Sequence, residues 1–407
     1  MQIIRFVKAS LWAVASMAMM SAALAQAPLR IGAINPYSGP LALYGDEVAR
    51  GYQLAVDEQN AKGGVLGRKI ELVRGDAANP QQGIAAVDQL VTRDKVDLFI
   101  GTYISAVSNA ASDAAQRYNK IYWDTNAVAA ELTERGLPNF IRAGPNANNF
   151  ADMSVRAVME LITPALGKKD VSVWIEHEDS IYGKSIGDLQ KKLLDGKGVK
   201  VLGQGAHNFK AADLTDVVLR IKRANPDVWL MTGYVPDTNL LLKTAREQGF
   251  KPPVIITVGT GDTGETLEAL GPEFLEGIMV VSYPRPDISE KFGPGAGAYL
   301  AAYRKTFNKD PVAPQGLSAY TGMKILLETV QAAGSTDVEK VRAAAAKLDK
   351  PLNSYPSGFG VKFDDKFQNT RAIFTVIQWQ GGKQVTVFPA EARAPGIALK
   401  NTPRKQS

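Results

Sequence analysis

Residues 29–80 read LRIGAINPYSGPLALYGDEVARGYQLAVDEQNAKGGVLGRKIELVRGDAANP, and this stretch decides the fold class. Leu29, Ile31 and Ala33 recur with a period of two, the pattern of a strand entering a core. Pro36, Ser38, Gly39 and Pro40 then break regular structure. From about Tyr44 the pattern turns helical, with Val48, Tyr52 and Ala55 on one stripe that Leu54 and Val56 widen. Gly63 and Gly64 end the helix, and Ile70 to Val73 starts a second strand. A βαβ unit of this kind places the loop 36–44 at the carboxyl edge of a parallel sheet, where α/β proteins bind ligands.

The chain has 407 residues, more than one core usually serves, so two α/β domains are expected. Hydrophobic residues at 45% and charged residues at 22% fit a soluble globular protein. Residues 1–25 differ. Arg5 and Lys8 precede an apolar run, Leu11 to Ala22, and Ala23-Leu24-Ala25 fits a signal-peptidase site, so cleavage after Ala25 and a periplasmic location are expected. The apolar run is short for a bilayer anchor. With no cysteine there are no disulfides and no thiolate metal sites. The net charge of +6 is scattered rather than clustered, so no nucleic-acid footprint is seen.

Strands and helices alternate onward. Strands are expected at Val96 to Gly101, Ile121 to Trp123 and Phe140 to Ala143, with a domain crossing at Gly144-Pro145-Asn146. A second α/β series follows, with strands at Val171 to Ile175, Val199 to Leu202, Val228 to Thr232, Val254 to Val258 and Gly277 to Ser282. Tyr283-Pro-Arg-Pro286 reads as a crossing back, followed by three helices at about 297–307, 316–333 and 338–346. Val361 to Asp364 and Ile373 to Gln380 read as two closing strands, and the chain after Pro389 reads as a disordered tail.

Pro36-Tyr-Ser-Gly-Pro40, Tyr44-Gly45-Asp46, Gly51, Ala55-Val-Asp57, Asn60-Ala-Lys-Gly-Gly64 and Gly67-Arg-Lys69 together resemble the leucine/isoleucine/valine-binding protein family, the type I periplasmic solute-binding proteins of ABC transporters. Ser105, Phe140-Ile-Arg142, Tyr182-Gly183, Gly233-Tyr234 and Glu276-Gly277 extend the match over essentially the whole chain beyond the leader. The resemblance implies a two-lobed α/β fold, each lobe a mostly parallel sheet flanked by helices, joined by a multi-crossing hinge. It implies an N-terminal lobe of 28–145 plus 284–354, a C-terminal lobe of 146–283 plus 355–390, and a tail of 391–407. The implied function is capture of a small solute and its delivery to a membrane permease, without catalysis, metal or cofactor, by a monomer.

Ser105 opens a helix after a strand, so its hydroxyl and the free N–H groups beside it suit a carboxylate. The matching serine does this in the family, and Asn126-Ala127-Val128 match the loop that completes the site; Val128 lacks the hydroxyl that family members often carry there. Tyr182 and Tyr234 match cleft-facing aromatics, and Tyr44 and Tyr103 are further candidate walls. Trp123 reads as core or pocket wall. Amino-acid binders of the family place an acid near Val258 to meet the ligand ammonium. Valine cannot do so, and Asp262 can substitute only if its loop folds inward; otherwise it caps the next helix. An unpaired buried ammonium is costly, so the ligand is either an amino acid served by Asp262 or an aromatic or aliphatic acid lacking the amino group.

Gly259-x-Gly261-x-x-Gly264 after a strand formally fits a dinucleotide fingerprint, which makes an NAD-dependent oxidoreductase the enzyme rival. No acidic ribose partner follows at the required distance. Tyr182-Gly183-Lys184-Ser185 ends like a phosphate loop but has Glu178 where the first glycine belongs. His177 reads as a loop residue, and the two histidines, His177 and His207, make no zinc cluster. A sensor that docks to a signalling receptor would use the same cleft.

Overall fold

The computed structural model describes residues 27–404; the expected leader lies outside them. The first sheet is built from β1 (Leu29–Asn35), β2 (Ile70–Asp76), β3 (Leu98–Gly101), β4 (Tyr122–Asp124) and β5 (Phe140–Arg142). Its order is β2-β1-β3-β4-β5 and every pair is parallel. The helices α1 (Ala42–Ala61), α2 (Pro80–Thr92), α3 (Ser105–Arg117) and the single turn α4 (Glu131–Glu134) connect the strands. Parallel strands need such crossovers, and these carry the loops after β1, β3 and β4 to one edge of the sheet.

The second lobe begins with α5 (Ala147–Arg156), which runs through a π-helical stretch at Ala157–Ile162 into α6 (Thr163–Leu166). Asn146 starts α5 with a capping box, its side chain accepting from Asn148 and Asn149. The rest is β6 (Ser172–Glu178), α7 (Ile181–Gly196), β7 (Lys200–His207), α8 (Thr215–Ala224), β8 (Val228–Thr232), α9 (Val235–Glu247), β9 (Val254–Val258), α10 (Gly264–Leu270), α11 (Pro272–Leu275) and β10 (Met279–Ser282). The chain then returns to the first lobe as α12 (Ala296–Phe307), α13 (Gln315–Ala333) and α14 (Val338–Ala345), and ends in β11 (Thr375–Gln380) and β12 (Lys383–Phe388). The second sheet has the order β12-β11-β10-β9-β8-β6-β7, parallel except where β11 meets β10 and β12.

One core joins Val48, Tyr52 and Ala55 of α1 to Tyr299, Tyr303, Leu317, Met323 and Val341 of the returning helices. Tyr355, Val361 and Phe363 lie in that same core, so residues 355–363 pack with the first lobe, not with the second as expected. The second lobe regains the chain at β11. The expected strand at 361–364 is absent: Val361 and Phe363 make only isolated bridges, to Lys350 and Asn369. The missing partner of β11 is β12, whose polar first half (Lys383, Gln384) hid it.

The C-terminal segment is also ordered rather than a free tail. Gln378 Nε2 donates to the Lys400 carbonyl at 2.7 Å, and the Arg404 N–H donates to the Pro253 carbonyl at 2.9 Å. These bonds satisfy polar groups at the end of the second sheet.

Candidate functional site

The two carboxyl edges face each other, and a single apolar cluster runs through the cleft from Tyr44, Tyr103 and Val128 to Tyr182, Tyr234 and Val258. The lobes are therefore closed on each other. At the centre lies a cavity of about 10 Å3 lined by Tyr103, Asn126, Val128, Phe150, Tyr182, Tyr234, Gly259 and Tyr283. No side chain in this lining is a carboxylate, an ammonium or a guanidinium.

The first-lobe wall comes from the loops after β3 and β4. Tyr103 stands at the end of β3, its ring stacked on Tyr44 with centroids 4.5 Å apart. Ser105 opens α3, but its Oγ accepts the N–H groups of Val128 and Ala129, each at 3.2 Å. The serine thus fastens the 126–129 loop from behind the pocket wall, with its hydroxyl proton left to donate. Asn126 faces the cavity while its Nδ2 donates to the Gln315 carbonyl at 3.3 Å and its Oδ1 accepts from Thr125. The Ala127 N–H donates to Asp124 Oδ1 at 3.0 Å, so this residue also supports the loop rather than lining the space.

Beneath the loop lies Arg142, fully buried and absent from the sequence expectations except as part of a motif. Its Nη1 donates to the carbonyls of Ala127 at 3.2 Å and Ala129 at 2.8 Å. Burial pushes the guanidinium down to about 10, and burial pushes the neighbouring Asp124 up to about 7 against the pull of Arg142 and Ser108. Arg142 from the carbonyl side and Asp124 from the N–H side thus fix the backbone of the 127–129 loop behind the cavity wall.

The second-lobe wall is aromatic. Tyr182, in the first turn of α7, donates from its phenol to the Val258 carbonyl at 3.1 Å. Tyr234 precedes α9, with ring centroids 5.1 Å from Tyr182 and 6.2 Å from Tyr103. Its backbone N–H donates to Asp237 Oδ1 at 2.9 Å. Asp237 Oδ2 meets His207 Nε2 at 2.9 Å, and His207 Nδ1 meets Glu176 Oε1 at 3.2 Å. Burial alone would lower this imidazole's pKa, but the two carboxylates raise it to about 9. A charged histidine thus pins the start of α9, and Tyr234 with it. His177 is no loop residue: it is buried near the end of β6, its Nδ1 2.8 Å from the Glu178 carbonyl.

Tyr44 and Asp262 meet outside the central lining. Tyr44 donates to Asp262 Oδ1 at 2.9 Å, and Ser282 donates to Oδ2 at 2.6 Å. The loop after β9 does fold inward, yet both carboxylate oxygens are taken. Burial raises the Asp262 carboxyl above its ordinary range, partly offset by these two hydroxyls. The helix behind it is capped by Thr263, not Asp262.

The glycine fingerprint after β9 serves the tyrosines. Gly259 has φ of 71°, and a Cβ there would lie 2.2 Å from the Tyr182 hydroxyl. Gly183 fits against Glu178, whose carboxylate accepts its N–H at 2.6 Å and fills the place of a phosphate. Trp123 is core: its Nε1 donates to the Gly322 carbonyl at 3.1 Å. Phe150 and Tyr283 line the cavity without having been expected there. Phe150 sits on an ordinary helical stripe, and Tyr283 at a crossing, where spacing carries no signal for a pocket.

The profile of the family described as "Periplasmic binding protein" matches residues 28–384. A curated relative, Leu/Ile/Val-binding protein homolog 7 of Brucella suis, is 38% identical over 381 residues, covering 93% of this chain and 96% of the relative. The chain belongs to the periplasmic binding protein family. Its fold is similar to that of a leucine-binding protein from Thermotoga maritima, with TM-score 0.77, 23% identity and coverage of 90% of this chain and 99% of the other. It is also similar to an ABC-transporter solute-binding protein from Rhodopseudomonas palustris in complex with p-hydroxybenzoic acid, with TM-score 0.74, 23% identity and coverage of 91% and 95%. The cleft of this chain has at its centre a box of four tyrosines, Tyr103, Tyr182, Tyr234 and Tyr283.

Proposed function

We propose that this periplasmic binding protein is the solute-capturing component of an ABC importer, exported to the periplasm as a monomer, and that its solute is a small carboxylate. The observation that carries the reading is the tyrosine box with buried Arg142 under one wall and no carboxylate in the lining. The carboxylate belongs at the Asn126–Val128 loop over Arg142, with the Ser105 hydroxyl behind it, and the tyrosine rings cover the apolar body. A cavity of about 10 Å3 is far below the size of a ligand site, so the solute enters with the lobes apart and its contacts then favour closure. Membership of the periplasmic binding protein family supports reversible capture rather than catalysis. Membrane permease subunits are the receiving partners.

Among carboxylates, the lining favours acids without an α-amino group, the class of the p-hydroxybenzoic acid held by the Rhodopseudomonas protein. A branched-chain amino acid would need its ammonium to reach Asp262, which lies outside the central lining and already accepts from Tyr44 and Ser282. The test is a thermal-shift screen of refolded protein against branched-chain amino acids beside aromatic and short aliphatic acids. A ligand at 100 times its Kd adds about 2.7 kcal/mol of stability. Stabilisation by acids lacking the amino group is expected. Stabilisation by leucine, isoleucine or valine alone would transfer the ammonium role to Asp262, and no response to any acid would remove the carboxylate assignment.

A further inference from the structure

The cleft contains a second compartment beside the tyrosine box, with a volume of about 320 Å3, the lower end of the range for small-molecule sites. Leu41, Pro80 and Ile104 line it from the first lobe, Phe209 and Lys210 from the second. Tyr234 lines both spaces, so its ring is their common wall. Phe209 packs edge-on against that ring at 5.1 Å, and the Lys210 ammonium lies 5.3 Å from the Phe209 centroid. The polar side chains at its edge are already engaged: Asn79 accepts from the Gln82 N–H at 3.0 Å, and Ser180 Oγ donates to Glu178 at 2.6 Å. What remains is a mostly apolar chamber walled by both lobes, with the Lys210 ammonium at its exposed edge, and apolar matter filling it stabilises the closed form.

We propose that the solute is a carboxylic acid with an extended apolar tail, its carboxylate in the tyrosine box and its tail running past Tyr234 into this compartment. The inference rests on the carboxylate reading above and names the shape of the acid. Calorimetric titration of the refolded protein with butanoate, hexanoate and octanoate tests it. Each methylene buried is worth about fourfold in affinity, so octanoate is expected to bind at least about tenfold more tightly than butanoate. Ala106→Trp, on α3 at the compartment wall, fills the space and is expected to erase the chain-length gain while leaving butanoate within about threefold of wild type. Lys210→Trp, at an exposed position on the opposite lobe, repeats the test without burdening a helix. Equal affinity for butanoate and octanoate in the wild type, or a gain that survives both substitutions, overturns the proposal while the carboxylate reading stands. Failure of all three acids, with benzoate also silent, overturns both.

Discussion

The phenol of Tyr44 reaches across the cleft to Asp262, 218 residues away in sequence, in a 2.9 Å bond that separating the lobes would break. It is therefore a closure contact rather than a folding contact. Tyr44→Phe leaves a buried carboxyl oxygen without its donor in the closed form alone, at a cost of about 1.5–3 kcal/mol for an unsatisfied buried acceptor. Solute affinity should fall by about tenfold to a hundredfold, while the melting temperature of the solute-free protein moves little. Calorimetry and a melting curve on the same preparation separate the two. Unchanged affinity would mean that the bond is not coupled to capture.

Asp262 makes closure depend on pH. In the closed form burial raises the Asp262 carboxyl, and separating the lobes to admit water is expected to bring it back toward its ordinary range. The closed form then binds the proton more tightly, so the favourable contribution is present at low pH and is lost as pH rises through the raised value. Asp262→Asn keeps an acceptor for Tyr44 and removes the titration. The ratio of wild-type to variant affinity should decline from pH 4 upward; parallel profiles would leave Asp262 out of the closing equilibrium.

His207 affects folding stability instead. Its pKa is raised to about 9 by Asp237 and Glu176, above the usual 6.5 of histidine. A raised pKa contributes stability that is complete below about pH 6.5 and vanishes as pH passes 9, up to about 3 kcal/mol in this case. Urea midpoints of the wild type should therefore fall across pH 6.5–9 more steeply than those of His207→Gln. Because Asp237 also holds the Tyr234 N–H, the variant should weaken solute binding as well.

How much of this could be read from sequence follows the range of the signals. The sequence predicts β8 and β9 to the residue because a run such as Val228–Thr232 is nearly all apolar and buried on both faces. Resemblance alone points to Tyr182 and Tyr234 as wall residues, and both line the cavity. The role of Asp262 was not legible: only tertiary structure shows that Tyr44 and Ser282 occupy it. Arg142 gave no chemical signal either, since a lone arginine after two apolar residues looks like any strand end. The His207 cluster joins residues from β6, β7 and α9, which no local pattern connects. Phe363 and Val361 look like strand residues but belong to a packed loop on the first lobe.

Gly51 shows the same limit from the packing side. It lies in the middle of α1, where glycine costs about 1 kcal/mol relative to alanine, so propensity alone predicts that Gly51→Ala stabilises. In the folded protein a Cβ at this position would sit 2.1 Å from the Gly316 carbonyl oxygen and 2.9 Å from the Tyr320 nitrogen of α13. Backbone atoms cannot turn aside as a side chain can, so the two helices must move apart, opening the core that contains Tyr52 and Met323. Gly51→Ala is expected to lose about 3 kcal/mol, the upper end of overpacking costs. Gly196→Ala is the control, at the end of α7 with no atom within 4 Å of the added methyl, and should be neutral or slightly stabilising. Urea denaturation of both variants decides the matter: equal midpoints would show that α1 and α13 do not need their close approach.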